Sequence, residues 1–393
     1  MIIPVASRTK NINEYYFSGK LKEIEEMNKL KLNVINLGIG SPDLSPSPET
    51  IRKLIDSSLS PVNHGYQSYK GVSELRKSLS AWYLKFYGVQ LDSDKEILPL
   101  MGSKEGIFYL TMAYLEPGDE VLVPDPGYLT YRSVSALLGG KVTAYNLRKE
   151  NGWYPDFDEL ENCDLRKVKI MWVNYPHMPT GAIPSKDLFR NLVDFGHKHK
   201  ILICHDNPYS FILNKTPLSI LETDGGKEVA CELNSLSKSH NMAGWRIGML
   251  AGSGELISSV LKVTSNIQSG MFLPLQHAAQ QALSNNGKWF DKLNSEYIKR
   301  REVAWQLLDL LETEYNRDQS GLFVWARLKG TSDDYEFTDR ILKGANVFIT
   351  PGSIFGANGK GYIRVSLCTP VNKFKESIDR IKRIRYDGSK TKT

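Results

Sequence analysis

The chain has 393 residues, 41% of them hydrophobic and 24% charged, with a formal net charge of +6. That length exceeds one ordinary core and implies two domains, and the composition is that of a soluble globular protein. Basic residues are scattered, apart from Lys382–Arg385 and the lysine-rich last four residues. This pattern argues against a nucleic-acid surface, and a frayed, solvated tail accounts for the end. No apolar stretch reaches membrane-spanning length, and the opening MIIPVASRTK is too short an apolar run for a signal peptide. The four cysteines (163, 204, 231 and 368) form no CxxC pair and no zinc pattern. They read as reduced thiols of a cytoplasmic protein without a metal, one that acts on neither membrane nor nucleic acid.

In chain order, a polar helical stretch comes first, at about Leu21–Leu30. Short apolar runs then alternate with amphipathic stretches. The runs are Ile97–Met101, Glu120–Pro124, Lys141–Leu147, Ile170–Asn174, Ile201–His205, Ala230–Asn234 and Arg246–Ala251. Helical patterns such as Glu105–Leu115 and Ser185–His199 lie between them. This alternation predicts an α/β domain with a mostly parallel, seven-stranded sheet between helices. The runs are continuous, as expected of strands buried on both faces. A long helical pattern follows at Leu275–Leu311. Strand candidates at Gly321–Leu328 and Tyr362–Leu367 and a closing helix at Val371–Ile384 predict a smaller α+β unit. The expected division is a segment 1–45 packing with the small domain, a large domain 46–285 and a C-terminal small domain 286–393.

Five motifs carry chemistry. NSLSKSHNMAGWRIG (Asn234–Gly248) places Lys238 after an apolar strand, among the hydroxyls of Ser235, Ser237 and Ser239, with Arg246 eight residues on. A lysine that forms a Schiff base needs surroundings that disfavour its ammonium form. A nearby phosphate needs an arginine that can bind it bidentately, and small hydroxyl donors. The usual fate of a single lysine is a solvated loop; Arg246 and the glycines weigh against it here. HDNPY (His205–Tyr209) follows an apolar run. An Asp at the C-terminal end of a parallel strand sits where such sheets bind ligands, and a carboxylate there can hold a ring nitrogen protonated. A plain Asx turn is the bland equivalent.

MGSKEGI (Met101–Ile107) leads from a strand end into a helix start, an anion site in which Gly102 permits close approach and Ser103 adds a donor. Alone it is a weak signal. PDPGYLTY (Pro124–Tyr131) is a turn placed to present Tyr128 as a flat lid on an aromatic ring, or merely as a packing residue. GYIRVS (Gly361–Ser366) sets Arg364 in an apolar strand, where an unpaired guanidinium is costly. A substrate carboxylate or a structural acid would both serve as its anion.

Together these segments resemble the class I/II aminotransferases of the pyridoxal 5′-phosphate (PLP) fold-type I superfamily, which are aspartate aminotransferase-like. The resemblance runs from about Asn36 to Thr369 in the family's motif order. GSKEGI followed by PDPGYLTY is most similar to the branch holding LL-diaminopimelate, alanine and aspartate aminotransferases. It implies PLP bound to Lys238 as a Schiff base, with Lys238 later moving the substrate Cα proton. Asp206 is implied on the pyridine nitrogen and Tyr209 on the phenolic oxygen. Ser103, Lys104 (through its backbone), Ser235, Ser237 and Arg246 are implied on the phosphate, and Tyr128 on the ring face. Arg364 is implied on the substrate α-carboxylate, with backbone at Gly40 in NLGIGSPD (Asn36–Asp43). Tyr66 in HGYQSYKG resembles the tyrosine that reaches the phosphate of a partner subunit, which implies a homodimer with shared active sites. The implied reaction is ping-pong transfer of an amino group from an L-amino acid to a 2-oxo acid, with 2-oxoglutarate as the expected acceptor.

One departure stands out. Where the family reads NxPxNPTG, this chain reads NYPHMPTG at Asn174–Gly181. Met178 holds the position that normally donates an amide hydrogen bond to the phenolic oxygen, and a thioether cannot donate. Asn174 and His177 are the candidates to replace it. Without that donor the basicity of the oxygen and the imine rises. For substrate choice, Thr264–Pro274 offers no basic residue, and the resemblance leaves Lys104 as the candidate to read an acidic side chain, with polar, apolar and aromatic side chains equally open. Two rival readings are a PLP lyase or synthase of the same fold, such as a carbon–sulfur lyase or an aminocyclopropane-carboxylate synthase, and a non-catalytic PLP-binding regulatory module. About thirty residues precede the motifs, too few for the DNA-binding unit such a module needs.

Overall fold

The computed structural model describes residues 3–390 except 11 and 13, so the last three residues of the expected solvated tail lie outside the described residues. Its largest sheet has seven strands among the described residues. They are β1 (Ile97–Leu100), β2 (Glu120–Asp125), β3 (Lys141–Asn146), β4 (Val168–Asn174), β5 (Leu202–Asp206), β6 (Ala230–Ser235) and β7 (Gly248–Ala251). The spatial order is β1-β7-β6-β5-β4-β2-β3. All neighbours pair in parallel except β7, which runs against both β1 and β6. Apolar clusters cover both faces. Leu122, Met171, Val173 and Ile203 belong to one, and Val121, Ile170, Trp172 and Cys204 to the other. Burial on both sides is why the central strands read as unbroken apolar runs.

Three expectations need correction. The run Arg246–Ala251 is a strand only from Gly248, because Arg246 turns through a left-handed φ of 57°. Strand β3 is the sheet edge, and its Lys141 and Ala144 are exposed, so it is not buried on both sides. The helical pattern Leu275–Leu311 is two helices, Leu273–Leu283 and Gly287–Leu310, because the Asn286 side chain caps the second by accepting from Lys288 N. The helices Pro48–Ser58, Ser73–Tyr87 and Asp334–Ala345 had no counterpart in the sequence reading.

A second core joins the N-terminal segment to the C-terminal part. Phe17, Ile24, Ile35 and Leu37 pack with residues running from Leu293 to Ile381. Ile35–Asn36 pairs in parallel with Val347–Phe348. A four-stranded sheet contains Phe323–Arg327, flanked by Tyr362–Ser366 and Glu314–Tyr315, with Thr350–Pro351 at the outer edge. The segment after Leu37 is tied down by a half-buried ion pair, in which Arg300 Nη1 lies 2.6 Å from Asp43 Oδ1. Asp125, at the end of β2, accepts from the backbone N–H groups of Ala357 and Asn358 and so stitches the large sheet to this second unit. Among the described residues no helix is long and apolar enough to cross a membrane.

Candidate active site

The parallel strands end side by side. Asn174 is in register with Asp206, and Asp206 with Leu233, two residues before the strand end at Ser235. Their C-terminal edge forms the floor of a cavity of about 530 Å³. Helix Ser103–Tyr114 starts at this edge behind Gly102, whose φ is +95°. A Cβ on Gly102 would lie 2.1 Å from Arg246 Nη2, so both the backbone conformation and the arginine's approach require glycine there. Gly248 makes a similar demand, since a Cβ would lie 2.6 Å from Ser103 N. Ser235 and Ser237 are joined by a 2.9 Å hydroxyl–hydroxyl bond. Hydroxyls, helix-start N–H groups and a guanidinium thus gather at one corner, the donor set for an anion.

Lys238 Nζ donates to the Gly40 carbonyl at 2.6 Å, which brings the N-terminal segment over the cavity. Burial, with Arg246 and Arg364 adding like charge, lowers the pKa of this amine. Gly40 is a contact point as well, because a Cβ there would collide with the Phe323 ring at 2.3 Å.

Asp206 is nearly fully buried. Its Oδ2 accepts from the Tyr131 hydroxyl at 2.7 Å, and its Oδ1 has no partner among the described residues. Burial pushes its pKa up to about 6, against the downward pull of the Tyr131 bond and the neighbouring His205. Behind it, on the same strand, His205 Nδ1 lies 2.9 Å from the buried Glu232 carboxylate.

Arg364 is equally buried. Its Nη2 donates to the Gly38 carbonyl at 2.7 Å and its Nη1 to the Met178 sulfur at 3.2 Å, while Nε has no partner among the described residues. Phe323, Phe355 and Phe17 surround the guanidinium, with ring centroids 3.9, 4.7 and 5.4 Å from Cζ. Burial lowers its pKa to about 10. No carboxylate pairs with it among the described residues, so it is a buried cation with capacity for an anion.

The cavity lining therefore collects Gly40, Ser103, Lys104, Tyr128, Asn174, Asp206, Tyr209, Ser235, Ser237, Lys238, Arg246 and Arg364. Tyr66 is not among them and is 93% exposed. Met178 lines the cavity too. Of the two candidates to replace its missing amide, Asn174 faces the cavity, with Nδ2 committed to the Asp206 carbonyl at 2.6 Å. His177 does not line it and instead lies with Nδ1 on Thr180 Oγ1. Sequence reasoning missed Tyr15, Phe17, Tyr131, Phe323 and Phe355. Only Tyr131 left a local signal: it stands one helical turn after Tyr128 in the quoted turn motif.

A cavity at the strand ends of a doubly covered sheet, holding a buried lysine, a strand-end carboxylate and an anion corner, defines an enzyme that works through a phosphorylated ring cofactor. The family model for aminotransferases of class I and II matches residues 33–381, and the chain belongs to that family of PLP-dependent aminotransferases. It is 38% identical over 380 residues to the LL-diaminopimelate aminotransferase of Halothermothrix orenii, covering 96% of this chain and 97% of that protein. It is 37% identical over 383 residues to the protein of the same name from Aquifex aeolicus, covering 97% and 99%. Among solved structures, apo-BacF from Bacillus subtilis superposes with a TM-score of 0.94 at 33% identity, over 98% of both chains. A single mutant of Thermus thermophilus aspartate aminotransferase superposes with a TM-score of 0.90 over 98% of this chain and all of that one, and at 23% identity it shares the fold. The residues present fit PLP: the unpartnered Oδ1 of Asp206 suits a protonated ring nitrogen, and the corner of Ser103, Ser235, Ser237 and Arg246 suits a phosphate.

Proposed function

We propose that this aminotransferase exchanges the amino group of LL-diaminopimelate, or of an amino acid with a similar polar end, with 2-oxoglutarate. We further propose that it acts as a cytoplasmic homodimer. One observation carries the assignment of roles: Lys238, Asp206 and Arg364 line a single cavity, and Asp206 Oδ1 and Arg364 Nε are buried without a partner among the described residues. Ser103, the Lys104 backbone, Ser235, Ser237 and Arg246 would hold the phosphate, Asp206 the ring nitrogen, Tyr209 the phenolic oxygen and Tyr128 the ring face. PLP, when bound, supplies an electron-accepting ring that spreads the charge left when the Cα proton departs.

The chain's own residues do the rest. Burial and the neighbouring arginine charges favour the neutral amine of Lys238, the form that can take a proton, and the Gly40 carbonyl orients it. Arg364 would bind the substrate α-carboxylate in place of the weak Met178 contact at Nη1 and so point the Cα–H bond at Lys238. Orientation of this kind supplies roughly 7–11 kcal/mol in favourable intramolecular cases. The rings of Phe17, Phe323 and Phe355 exclude water from that ion pair and strengthen it.

The Lys104 side chain, which lines the same cavity, supports the substrate reading. Lys104 Nζ sits over the Tyr15 ring at 4.6 Å and pairs with no acid among the described residues. It would meet the distal carboxylate of diaminopimelate. The dimer is supported by an exposed apolar face of Leu59 (76%), Val62 (83%) and Tyr66. Tyr66 would reach the partner's phosphate corner from it. The test is a panel of amino donors and 2-oxo acids, read by loss of the visible band as the cofactor takes up the amino group. LL-diaminopimelate should outrank neutral amino acids, and Lys104→Ala should erase that preference. Equal losses for all donors would refute the role of Lys104. Ammonia and pyruvate released without an acceptor would refute the transfer reaction.

A further inference from the structure

Tyr131 lies in the first turns of helix Leu129–Leu137 and is fully buried. Its ring lies flat against Trp172, with the planes 2° apart and the centroids 5.0 Å apart. Trp172 projects from β4, the strand beside β5. The stack leaves the phenol one direction in which to point, and there its hydroxyl donates to Asp206 Oδ2 at 2.7 Å. The other oxygen, Oδ1, is the unpartnered one. The carboxylate is therefore asymmetric, with one oxygen anchored by the phenol and the other buried without a partner among the described residues.

We propose that Tyr131 is a positioning residue: its hydroxyl holds Oδ2 and favours the ionised form of Asp206, the form that would pair with the cofactor ring nitrogen. The inference rests on the reading of Asp206 given above. A phenol donating to a carboxylate stabilises the charged form over the acid. Asp206 needs such help because burial works the other way. The groups facing Asp206 are few. Tyr131 and Tyr128 approach from the helix and its preceding turn, Tyr209 from the loop after β5, His205 from the same strand and Glu232 from β6. Lys238 and Arg246 line the same cavity. Of these, the tyrosine at 131 alone donates a hydrogen bond to the carboxylate oxygens among the described residues.

The test is the pH dependence of PLP affinity, measured by equilibrium dialysis from pH 5 to 8.5 on wild type, Tyr131→Phe and Asp206→Asn. The phenylalanine keeps the ring stacked on Trp172 and removes only the donor. Binding to protonated Asp206 must release a proton, so affinity weakens below the pKa of that group. Titration of the PLP phosphate is common to all three proteins and cancels in ratios against Asp206→Asn. Tyr131→Phe should move the Asp206-dependent midpoint to higher pH by about one unit. Its affinity should be close to tenfold weaker than wild type below pH 6 and equal to it above pH 8. A uniform loss across the pH range, or an unmoved midpoint, would overturn the proposal while leaving the role of Asp206 intact. If wild type and Asp206→Asn give the same profile, the reading of Asp206 falls and the proposal with it.

Discussion

Asp206 and Arg364 are two solutions to one problem, holding a buried ionisable group that has no ion-pair partner among the described residues. Asp206 stands at the end of a strand in the seven-stranded sheet, and Arg364 lies in the four-stranded sheet of the second unit. Burial acts on them in opposite senses, pushing the carboxyl up to about 6 and the guanidinium down to about 10. Neither neutralises the other. Asp206 is anchored by a phenol and left with one bare oxygen; Arg364 is caged by rings and left with one bare nitrogen. The difference lies in how firmly each is held. The carboxylate has a neutral but well-directed donor, whereas one nitrogen of the guanidinium rests on a thioether, a weak acceptor that a substrate carboxylate can outcompete. That difference fits the proposed roles, a resident ligand on the sheet side and an exchangeable one on the other.

That contrast can be broken in order of expected effect. Asp206→Ala should lower kcat/KM by about 10³ in steady-state assays with saturating PLP, because it removes the charge opposite the electron-accepting ring. A loss under tenfold would deny Asp206 its role. Arg364→Lys should raise KM for the amino donor by about 10- to 100-fold and change kcat less, since a lysine cannot bind the carboxylate bidentately. An equal effect on both constants would show that the arginine does more than bind.

The third test is the stability of the PLP-free protein. The folded pKa of Asp206 is raised from its ordinary 3.8 to about 6. The fold therefore favours the protonated acid. That contribution is complete below pH 3.8 and is lost as pH rises through about 6, amounting to about 3 kcal/mol. Denaturant unfolding of wild type and Asp206→Asn should diverge over that window, with wild type losing stability relative to the variant. Parallel curves would contradict the burial of an unpaired carboxyl. The smallest effect is expected from Met178→Asn, which restores an amide donor at the phenolic oxygen. The midpoint of the loaded protein's visible-band titration should fall by about one pH unit. An unchanged midpoint would mean that Met178 does not adjoin that oxygen.

Much of this was legible in the chain. The strands of the large sheet announce themselves because burial on both faces leaves them uninterrupted apolar runs, and Asp206 is conspicuous as a charge ending one of them. Arg364 is conspicuous for the same reason. Lys238 needed its neighbours, Ser235, Ser237 and Arg246, to be told from a surface lysine. What stayed hidden depends on tertiary contact. Tyr15 and Phe17 reach the cavity because the N-terminal segment packs on residues some three hundred positions away. Phe323 and Phe355 read as ordinary core residues until the guanidinium appears between them. The break between helices at Ser284–Asn286 was readable as an Asn cap and was passed over because the apolar pattern continued across it.

The most direct measurement is borohydride reduction of the PLP-loaded protein, followed by digestion and mass mapping of the labelled peptide. The account predicts a single stable label on Lys238. A label on another lysine, or none, would contradict it.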